Sequence, residues 1–325
     1  MIKAGVIGLG IGQSHLYGYS KTPGVKVWAI ADLEEERLKR FSREYSVPHS
    51  FKDYQELLKL KELDVVSVAL PNFLHCPVTI EALEAGKHVL VEKPMALNSQ
   101  EAEKMVKVAR ERKRILMVGM NYRYLPEIQI LKKFVEQGEL GDIYYIKAVA
   151  LRRRSILSPW FEDKEKSGGG GLIDMGPHML DLSMWIADDF NAVSVYGITY
   201  NKFMPVDDLA SALIKLSNGA TINLEISWEA FTKSQIFLSL FGTKGGAMTN
   251  PLKIYQNAGD IPVEITPEIE KGDFTSKIQR EIVHFIRCVR EKKEPSSSGE
   301  KGLRVMRVLD AIYESARTGK EVRIG

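Results

Sequence analysis

The feature that most constrains this chain is the order of its periodicities: through the first third, short apolar runs alternate with longer amphipathic ones. That alternation is the pattern of β-α-β units and a parallel sheet. Six candidate strands stand out, at Ile2 to Ile7, Val25 to Ala31, a weak one at His49 to Phe51, Val65 to Leu70, His88 to Val91 and Ile115 to Gly119. Helical segments such as Glu34 to Glu44 and Ala102 to Arg112 lie between them, and Asn98 with Glu101 three residues on gives the latter a capping-box-like start. Right-handed crossovers wind such strands into one doubly wound sheet with helices on both faces.

Beyond Gly119 the pattern changes. A helix near Glu127 to Gln137 precedes longer alternating runs separated by hairpin signals. Asp208 to Leu216 and Thr221 to Trp228 are joined through Asn218-Gly219, a strong hairpin dipeptide. Runs at Ser234 to Phe241, Ala247 to Tyr255 and Pro262 to Ile265 extend an open, largely antiparallel sheet. Two helices close the chain, Ser276 to Glu291 and another starting near Ser297 with Glu300 as its N3 partner. The expected fold is α/β overall: an N-terminal domain over residues 1–121 and an α+β domain over 122–325 that binds substrate and carries self-association.

Composition narrows the function classes. The 45 Lys and Arg against 42 Asp and Glu leave a formal charge of +3, too little for the basic stripe that nucleic-acid binding needs. Cys76 and Cys288 form neither a disulfide framework nor a metal-ligand spacing, so no metal is expected and a reducing compartment is. No apolar run approaches the ~20 residues of a membrane span. The first apolar stretch, Ala4 to Ile11, is broken by Gly5, Gly8 and Gly10 and reads as strand and turn rather than a secretory segment. A cytoplasmic location follows as an expectation.

Val6-Ile-Gly-Leu-Gly-Ile-Gly-Gln13 sits where the first strand hands over to a helix, the context of a pyrophosphate-binding turn. Gly8 permits the tight turn, and Gly10 lets backbone approach a pyrophosphate at the helix N-terminus. The spacing departs from G-x-G-x-x-G, because Gly12 arrives one residue early and Gln13 holds the sixth position. Asp32 ends the second strand roughly 20 residues beyond the glycines, where a carboxylate accepts from ribose hydroxyls and repels a 2'-phosphate. NAD is favoured over NADP, with Arg37 one turn later the residue that weakens the preference.

Two further blocks carry a family resemblance. Pro71-Asn72 follows the fourth strand and Glu92-Lys93-Pro94 the fifth, while Gly169-Gly-Gly-Leu-Ile-Asp174-Met-Gly-Pro-His178-Met-Leu-Asp181 stands in the second domain. Together they resemble the glucose-fructose oxidoreductase and inositol dehydrogenase (Gfo/Idh/MocA) family over nearly the whole chain. That resemblance implies an N-terminal Rossmann domain, NAD as cofactor, and Lys93, Asp174 and His178 as the catalytic group. It also implies a cofactor site drawn from Gly8, Gly10, Ile11, Gly12, Asp32, Pro71, Asn72, His75, Glu92 and Lys93. Relatives are often dimers or tetramers.

The residue chemistry fits those roles. Oxidising an alcohol needs a base for the hydroxyl proton, and the unperturbed pKa of a histidine such as His178 lies near neutrality. Lys93 can hydrogen-bond the reacting oxygen and stabilise the charge developing there, and Asp174 can orient the imidazole or the substrate. Pro177 is read as the first position of a helix, placing His178 in its first turn, with Gly176 packed against cofactor or substrate. Trp160, together with Phe161, is a candidate ring platform for a sugar, and Tyr122 and Arg123 are candidate substrate contacts or hinge residues. Arg152-Arg153-Arg154 reads as a solvated surface. The expected activity is an NAD-dependent dehydrogenase of a sugar, inositol or related polyol. The alternatives are an NAD-dependent glycosidase using transient oxidation and a catalytically silent NAD sensor.

Overall fold

A computed structural model describes residues 1–153, 158–269 and 274–324, so Arg154 of the arginine run lies outside the described residues. The chain divides into two compact units, Met1–Tyr124 with Gly272–Leu303, and Leu125–Lys271 with Arg304–Gly325.

In the first unit, β1 (Ile2–Ile7), β2 (Val25–Ala31), β3 (His49–Phe51), β4 (Val65–Val68), β5 (His88–Glu92) and β6 (Leu116–Gly119) alternate with five helices. These are α1 (Gly12–Ser20), α2 (Glu35–Glu44), α3 (Tyr54–Leu58), α4 (Asn72–Glu84) and α5 (Ser99–Arg112). The strands form a parallel sheet in the order β3-β2-β1-β4-β5-β6. Helices on both faces bury the central strands, which is why β4 reads as a continuous run with Val65, Val66 and Val68 wholly inaccessible. Asn98 caps α5 as expected, accepting from Glu101 N at 2.9 Å, while the Glu101 carboxylate returns to Leu97 N at 3.1 Å.

The second unit contains α6 (Pro126–Glu136), β7 (Ile143–Leu151), α7 (Lys164–Ser167), α8 (Gly171–Ile186), β8 (Ala192–Tyr200), β9 (Leu209–Leu216) and β10 (Thr221–Ser227). It continues through β11 (Gln235–Gly242), β12 (Gly245–Met248), β13 (Lys253–Ala258), β14 (Ile261–Ile265) and, near the C-terminus, β15 (Val322–Arg323). The sheet runs β14-β13-β12-β11-β7-β10-β9-β8-β15. Its pairings are antiparallel except β7 with β10, so the sheet is mostly antiparallel as expected. Alternation sets the faces: Ile222, Leu224 and Ile226 of β10 point inward toward α8, while Asn223 and Glu225 are left half-exposed on the other side.

The expected hairpin forms, and one local reading changes. The β9–β10 hairpin closes through Leu216 N to Ala220 O at 2.8 Å, giving a three-residue loop with Gly219 at φ +92°. The run Ala247 to Tyr255 is two strands, broken where Asn250 takes φ 60° and Pro251 withdraws a ladder donor.

Helices α9 (Phe274–Glu291) and α10 (Gly299–Thr318) follow. Helix α9 returns to the first unit, where Ile278, Ile282, Phe285 and Ile286 share one core with Leu16 and Tyr19 of α1. At Gly18 an added Cβ would lie 2.5 Å from Ile282 Cδ1, so the absence of a side chain sets how closely the two helices approach. Val118 N donates to Ser297 O at 2.9 Å and Ser297 Oγ to Val118 O at 2.8 Å, covering the β6 edge of the sheet.

Two imidazoles of this unit accept backbone hydrogen bonds and must therefore be neutral at that nitrogen. Ile115 N donates to His88 Nδ1 at 2.9 Å and Ser296 N to His284 Nε2 at 3.0 Å. Burial first, then Arg114, pushes His88 down from 6.5 to about 4; burial first, then Arg287, does the same to His284. The folded values lie below the unfolded ones, so unfolding takes up protons, and this stabilisation is complete above pH 6.5 and lost as pH falls toward about 4. Denaturant midpoints measured across that window should fall with pH. The slope should shrink in His88→Asn, whose amide oxygen lies near the position of Nδ1 and can still accept from Ile115; an unchanged slope would remove His88 as its source.

Candidate functional site

In the first unit the strand order reverses between β1 and β4, so the connections leaving their carboxyl ends diverge to opposite faces and open a crevice. Ile7 and Ala69 are still laddered there, with Ala69 N on Ile7 O at 2.9 Å. Gly8 follows at φ +87°, and a Cβ on it would sit 2.3 Å from Ala69 O. Only glycine fits. A Cβ on Gly10 would meet nothing nearer than Arg37 Nη1 at 3.9 Å, which leaves open space beside that backbone. A Cβ on Gly12 would lie 2.9 Å from Val6 Cγ1, so this early third glycine supplies the close helix-to-strand packing. Helix α1 starts at Gly12 behind Ile11, whose side chain makes no capping hydrogen bond; Gln13 N and Ser14 N donate to Gly10 O at 3.4 Å and Ile11 O at 3.0 Å, and the helix start offers an anion the positive end of its dipole. The turn fits a dinucleotide pyrophosphate.

Asp32 is anchored from both oxygens, accepting from Leu9 N at 2.6 Å and Glu34 N at 2.8 Å. It thus ties the end of β2 to the glycine turn while its remaining lone pairs can accept from a ribose. Arg37 is drawn to Glu34 at 2.9 Å and stands 3.8 Å from Asp32, so its charge is balanced by two carboxylates.

Pro71 and Asn72 open α4, with Asn72 buried. His75, expected to line the cofactor site, forms an internal tie: its Nδ1 is 2.6 Å from Pro94 O and its Nε2 2.7 Å from Leu70 O. The ring joins the turn after β4 to the turn after β5, which explains why those two sequence blocks occur together. Burial first lowers the His75 pKa, against the two carbonyls, which raise it. Glu92 is buried and tied internally as well, with Oε1 2.9 Å from His15 Nε2 and Oε2 accepting from Lys93 N at 3.2 Å. Lys93 begins the turn that leaves β5 at the same end of the sheet as the glycines.

In the second unit the expected helix start is displaced. Helix α8 begins at Gly171, so Pro177 is interior to it and His178 lies two turns in. The reason is remote capping. Asp207 accepts from Gly170 N and Leu172 N, both at 2.7 Å, its carbonyl takes Gly171 N at 2.6 Å, and Tyr313 Oη donates to its Oδ1 at 2.8 Å. A Cβ on Gly170 would lie 1.9 Å from Asp207 O, so the glycine run is a seat for an aspartate of the chain itself. Burial raises the Asp207 pKa against those hydrogen bonds.

Asp174 and His178 are four residues apart and share one face of α8. Both are buried, as is Asp181 one turn further. Asp174 Oδ2 accepts from Arg152 Nη2 at 2.5 Å and from Trp228 Nε1 at 3.0 Å. Arg152 is therefore half-buried at the centre of the unit and not part of a solvated surface, while Arg153 lies over the Phe231 ring at 4.6 Å. Neither Arg152 nor Trp228 is marked in the sequence by anything beyond strand alternation after β7 and β10. Gly176 packs against Leu309, where an added Cβ would come within 2.9 Å.

Trp160 stacks on Phe161 with ring centroids 3.8 Å apart, and Phe161 meets Trp228 edge-on at 6.2 Å. The platform residue is thereby linked to the Asp174 cluster. Tyr122 and Arg123 fall in the first unit as packing: Lys277 Nζ lies 4.2 Å over the Tyr122 ring, and the buried Arg123 donates to Ser296 O at 2.7 Å. These contacts fit the hinge-or-packing reading of Tyr122 and Arg123.

Residues 2–120 match the oxidoreductase family described as an NAD-binding Rossmann fold, and residues 132–324 match that family's C-terminal alpha/beta domain. The chain is 30% identical to D-glucoside 3-dehydrogenase of Escherichia coli (strain K12), over 99% of this chain and 97% of that protein. It is 26% identical to myo-inositol 2-dehydrogenase of Thermotoga maritima over 99% and 98%. In fold it is similar to levoglucosan dehydrogenase in complex with NADH, with a TM-score of 0.93, 24% identity, and 100% of this chain and 99% of that one covered. With both domain models matched and the glycine turn shaped for a dinucleotide, the chain belongs to the Gfo/Idh/MocA oxidoreductase family, as an NAD-dependent dehydrogenase acting on CH–OH groups.

Proposed function

We propose that the chain transfers a hydride reversibly between NAD and a hydroxyl-bearing carbon of a cyclic sugar or polyol, with Lys93, Asp174 and His178 as the catalytic group. The observation that carries this reading is the buried pair on α8: Asp174, fixed by Arg152 and Trp228, stands one helical turn before His178. A solvated helix face has no need of a buried, doubly anchored carboxylate beside an imidazole. The names of the relatives, dehydrogenases of glucosides, inositol and levoglucosan, supply the substrate class.

Bound NAD supplies the hydride acceptor. His178 takes the hydroxyl proton, because an imidazole is the side chain that exchanges one near neutral pH. Lys93 donates to the reacting oxygen and stabilises the negative charge that develops on it. Asp174 holds its charge against Arg152 and orients the imidazole or a substrate hydroxyl, and the free face of Trp160 offers an apolar platform to the C–H face of a sugar ring.

Incubating the protein with NAD and a panel of polyols, aldoses and glycosides, while following absorbance of the reduced nicotinamide, tests the reading. Turnover with a cyclic sugar or polyol supports it; release of free sugar from a glycoside without net reduction of NAD would replace it with transient oxidation, and binding of NAD with no turnover on any member would leave a sensor. Lys93→Met should keep NAD affinity within about twofold and lower kcat by at least about a thousandfold. Unchanged turnover would refute the role given to Lys93.

Asp32 is proposed as the selector between NAD and NADP. Asp32→Ala removes the ribose acceptor and leaves Arg37 with one carboxylate fewer, so the preference for NAD should fall by about tenfold or more, the size of one charge-assisted hydrogen bond. Equal preference in the two proteins, measured by quenching titrations with both cofactors, would assign the selection elsewhere.

A homodimer or homotetramer formed through the open sheet is also proposed. Leu213 is 50% exposed and Tyr196 48%, and these two are register partners on β9 and β8. An apolar cross-strand pair left in water on a broad face favours self-association. Leu213→Glu should shift sedimentation toward the monomer, whereas an unchanged sedimentation coefficient would move the interface off this face. The two buried, unbridged cysteines, Cys76 and Cys288, fit a cytoplasmic location, and among the described residues no helix is long and apolar enough to cross a membrane.

A further inference from the structure

We infer that His15 is a positioning residue for Lys93, acting through Glu92 inside the nucleotide-binding sheet; the inference rests on Lys93 having the catalytic role proposed above. Four side chains of the first unit form one continuous hydrogen-bonded line. Tyr19 Oη is 2.8 Å from Ser67 Oγ, Ser67 Oγ is 2.9 Å from His15 Nδ1, and His15 Nε2 is 2.9 Å from Glu92 Oε1. Tyr19, Ser67 and His15 are wholly buried and Glu92 is 5% exposed. At the end of the line, Glu92 Oε2 accepts the backbone N–H of Lys93 at 3.2 Å.

With an ionised Glu92 and a neutral imidazole, the protons have one consistent order. His15 Nε2 donates to the carboxylate, Ser67 donates to Nδ1, and Tyr19 donates to Ser67, so each donor meets an acceptor. Burial alone would push the Glu92 carboxyl up; the His15 hydrogen bond, with the positive charge of Lys93 nearby, outweighs it and holds the group below its ordinary value. Room for the carboxylate comes from Gly119 on the neighbouring strand, where an added Cβ would already touch Glu92 Cδ at 3.4 Å.

Stability does not account for such a line. Its members occupy a sheet interior whose other β4 positions are Val65, Val66 and Val68, and well-packed apolar residues usually serve a core at least as well as buried polar groups. What the line does is fix an orientation. The chain leaves β5 at Glu92, so the carboxylate clamped between His15 and the Lys93 amide sets the first peptide of the turn that carries Lys93. A shift of roughly 1 Å in a catalytic group costs on the order of a hundredfold in rate.

The test uses side chains that reproduce one ring nitrogen each. In His15→Gln the amide nitrogen reaches toward the position of Nε2 and can still donate to Glu92. In His15→Asn the amide reaches only toward that of Nδ1 and Ser67. On the sugar found in the panel above, H15Q should keep kcat within about threefold, and H15N should lose about 10- to 100-fold in kcat, with NAD affinity and sugar KM within about twofold. A second readout needs neither cofactor nor substrate: the side-chain ¹⁵N resonance of the Lys93 ammonium, assigned by its disappearance in K93M, should stay in H15Q and move in H15N.

Equal kcat in H15N and wild type with an unmoved Lys93 resonance would overturn the inference, and so would losses in H15N and H15Q that are equal and follow their melting temperatures. Turnover surviving in K93M would instead refute the catalytic reading, and the resonance would then decide alone whether His15 positions the lysine. Should the His15 variants fail to fold, Glu92→Gln keeps the shape and removes the charge; a wild-type kcat and an unmoved resonance there would overturn the inference as well.

Discussion

The nucleotide end of the first unit depends on one close contact, the approach of the Gly8 backbone to the carbonyl of Ala69. Parallel strands β1 and β4 stay in register up to Ile7 and Val68, and their connections then part to opposite faces of the sheet. The gap that opens is narrow at its floor, because a Cβ on Gly8 would overlap Ala69 O at 2.3 Å. Above that floor the backbone of Gly10 borders open space, and α1 begins two residues later at Gly12. Strand order creates the crevice, and the missing side chain lets backbone amides line it.

Buried or half-buried carboxylates then fix the geometry around each site. Asp32 joins β2 to the glycine turn, Glu92 joins β5 to the amide of Lys93, Asp174 joins α8 to Arg152 and Trp228, and Asp207 closes the start of α8. Each removes a charge from water, which costs several kcal/mol unless it is matched by donors. The donors differ: backbone amides for Asp32, backbone amides with the Tyr313 hydroxyl for Asp207, an imidazole and a backbone amide for Glu92, and a guanidinium with an indole for Asp174. Because charge-assisted bonds are short and directional, such carboxylates specify position more than they add stability.

Local sequence disclosed most of the first unit, because its information is local. The strands Ile2–Ile7, Val25–Ala31 and His49–Phe51 are bounded by their own apolar periods and turn residues, and Asn98 announces α5 by its own side chain. The start of α8 was illegible for the opposite reason. Pro177 looks like a first-turn proline, whereas the actual cap, Asp207, arrives from 37 residues beyond Gly170 and leaves no local trace. The same limit hid the pairing of Arg152 with Asp174, the tie made by His75, and the return of α9 to the α1 core. Each joins residues that no periodicity relates. Asn218-Gly219 did signal its hairpin, but the loop accommodates one residue more and places its left-handed residue at Gly219.

The placement of Asp174 and His178 within a helix, rather than on a loop, has a mechanistic consequence. A helical spacing of four residues fixes their relative direction through backbone geometry alone, and a site carried on a regular element holds its angles better than one on a loop. The helix is itself immobilised at the interval between them: Gly176 lets Leu309 approach to a distance that any side chain would block. Pro177, which withdraws one helical hydrogen bond, is tolerated because packing and the Asp207 cap hold the segment from outside. The relative direction of the two residues proposed as catalytic is thus defined by the frame of the second unit, whereas the proposed platform, Trp160 with Phe161, stands outside that helix.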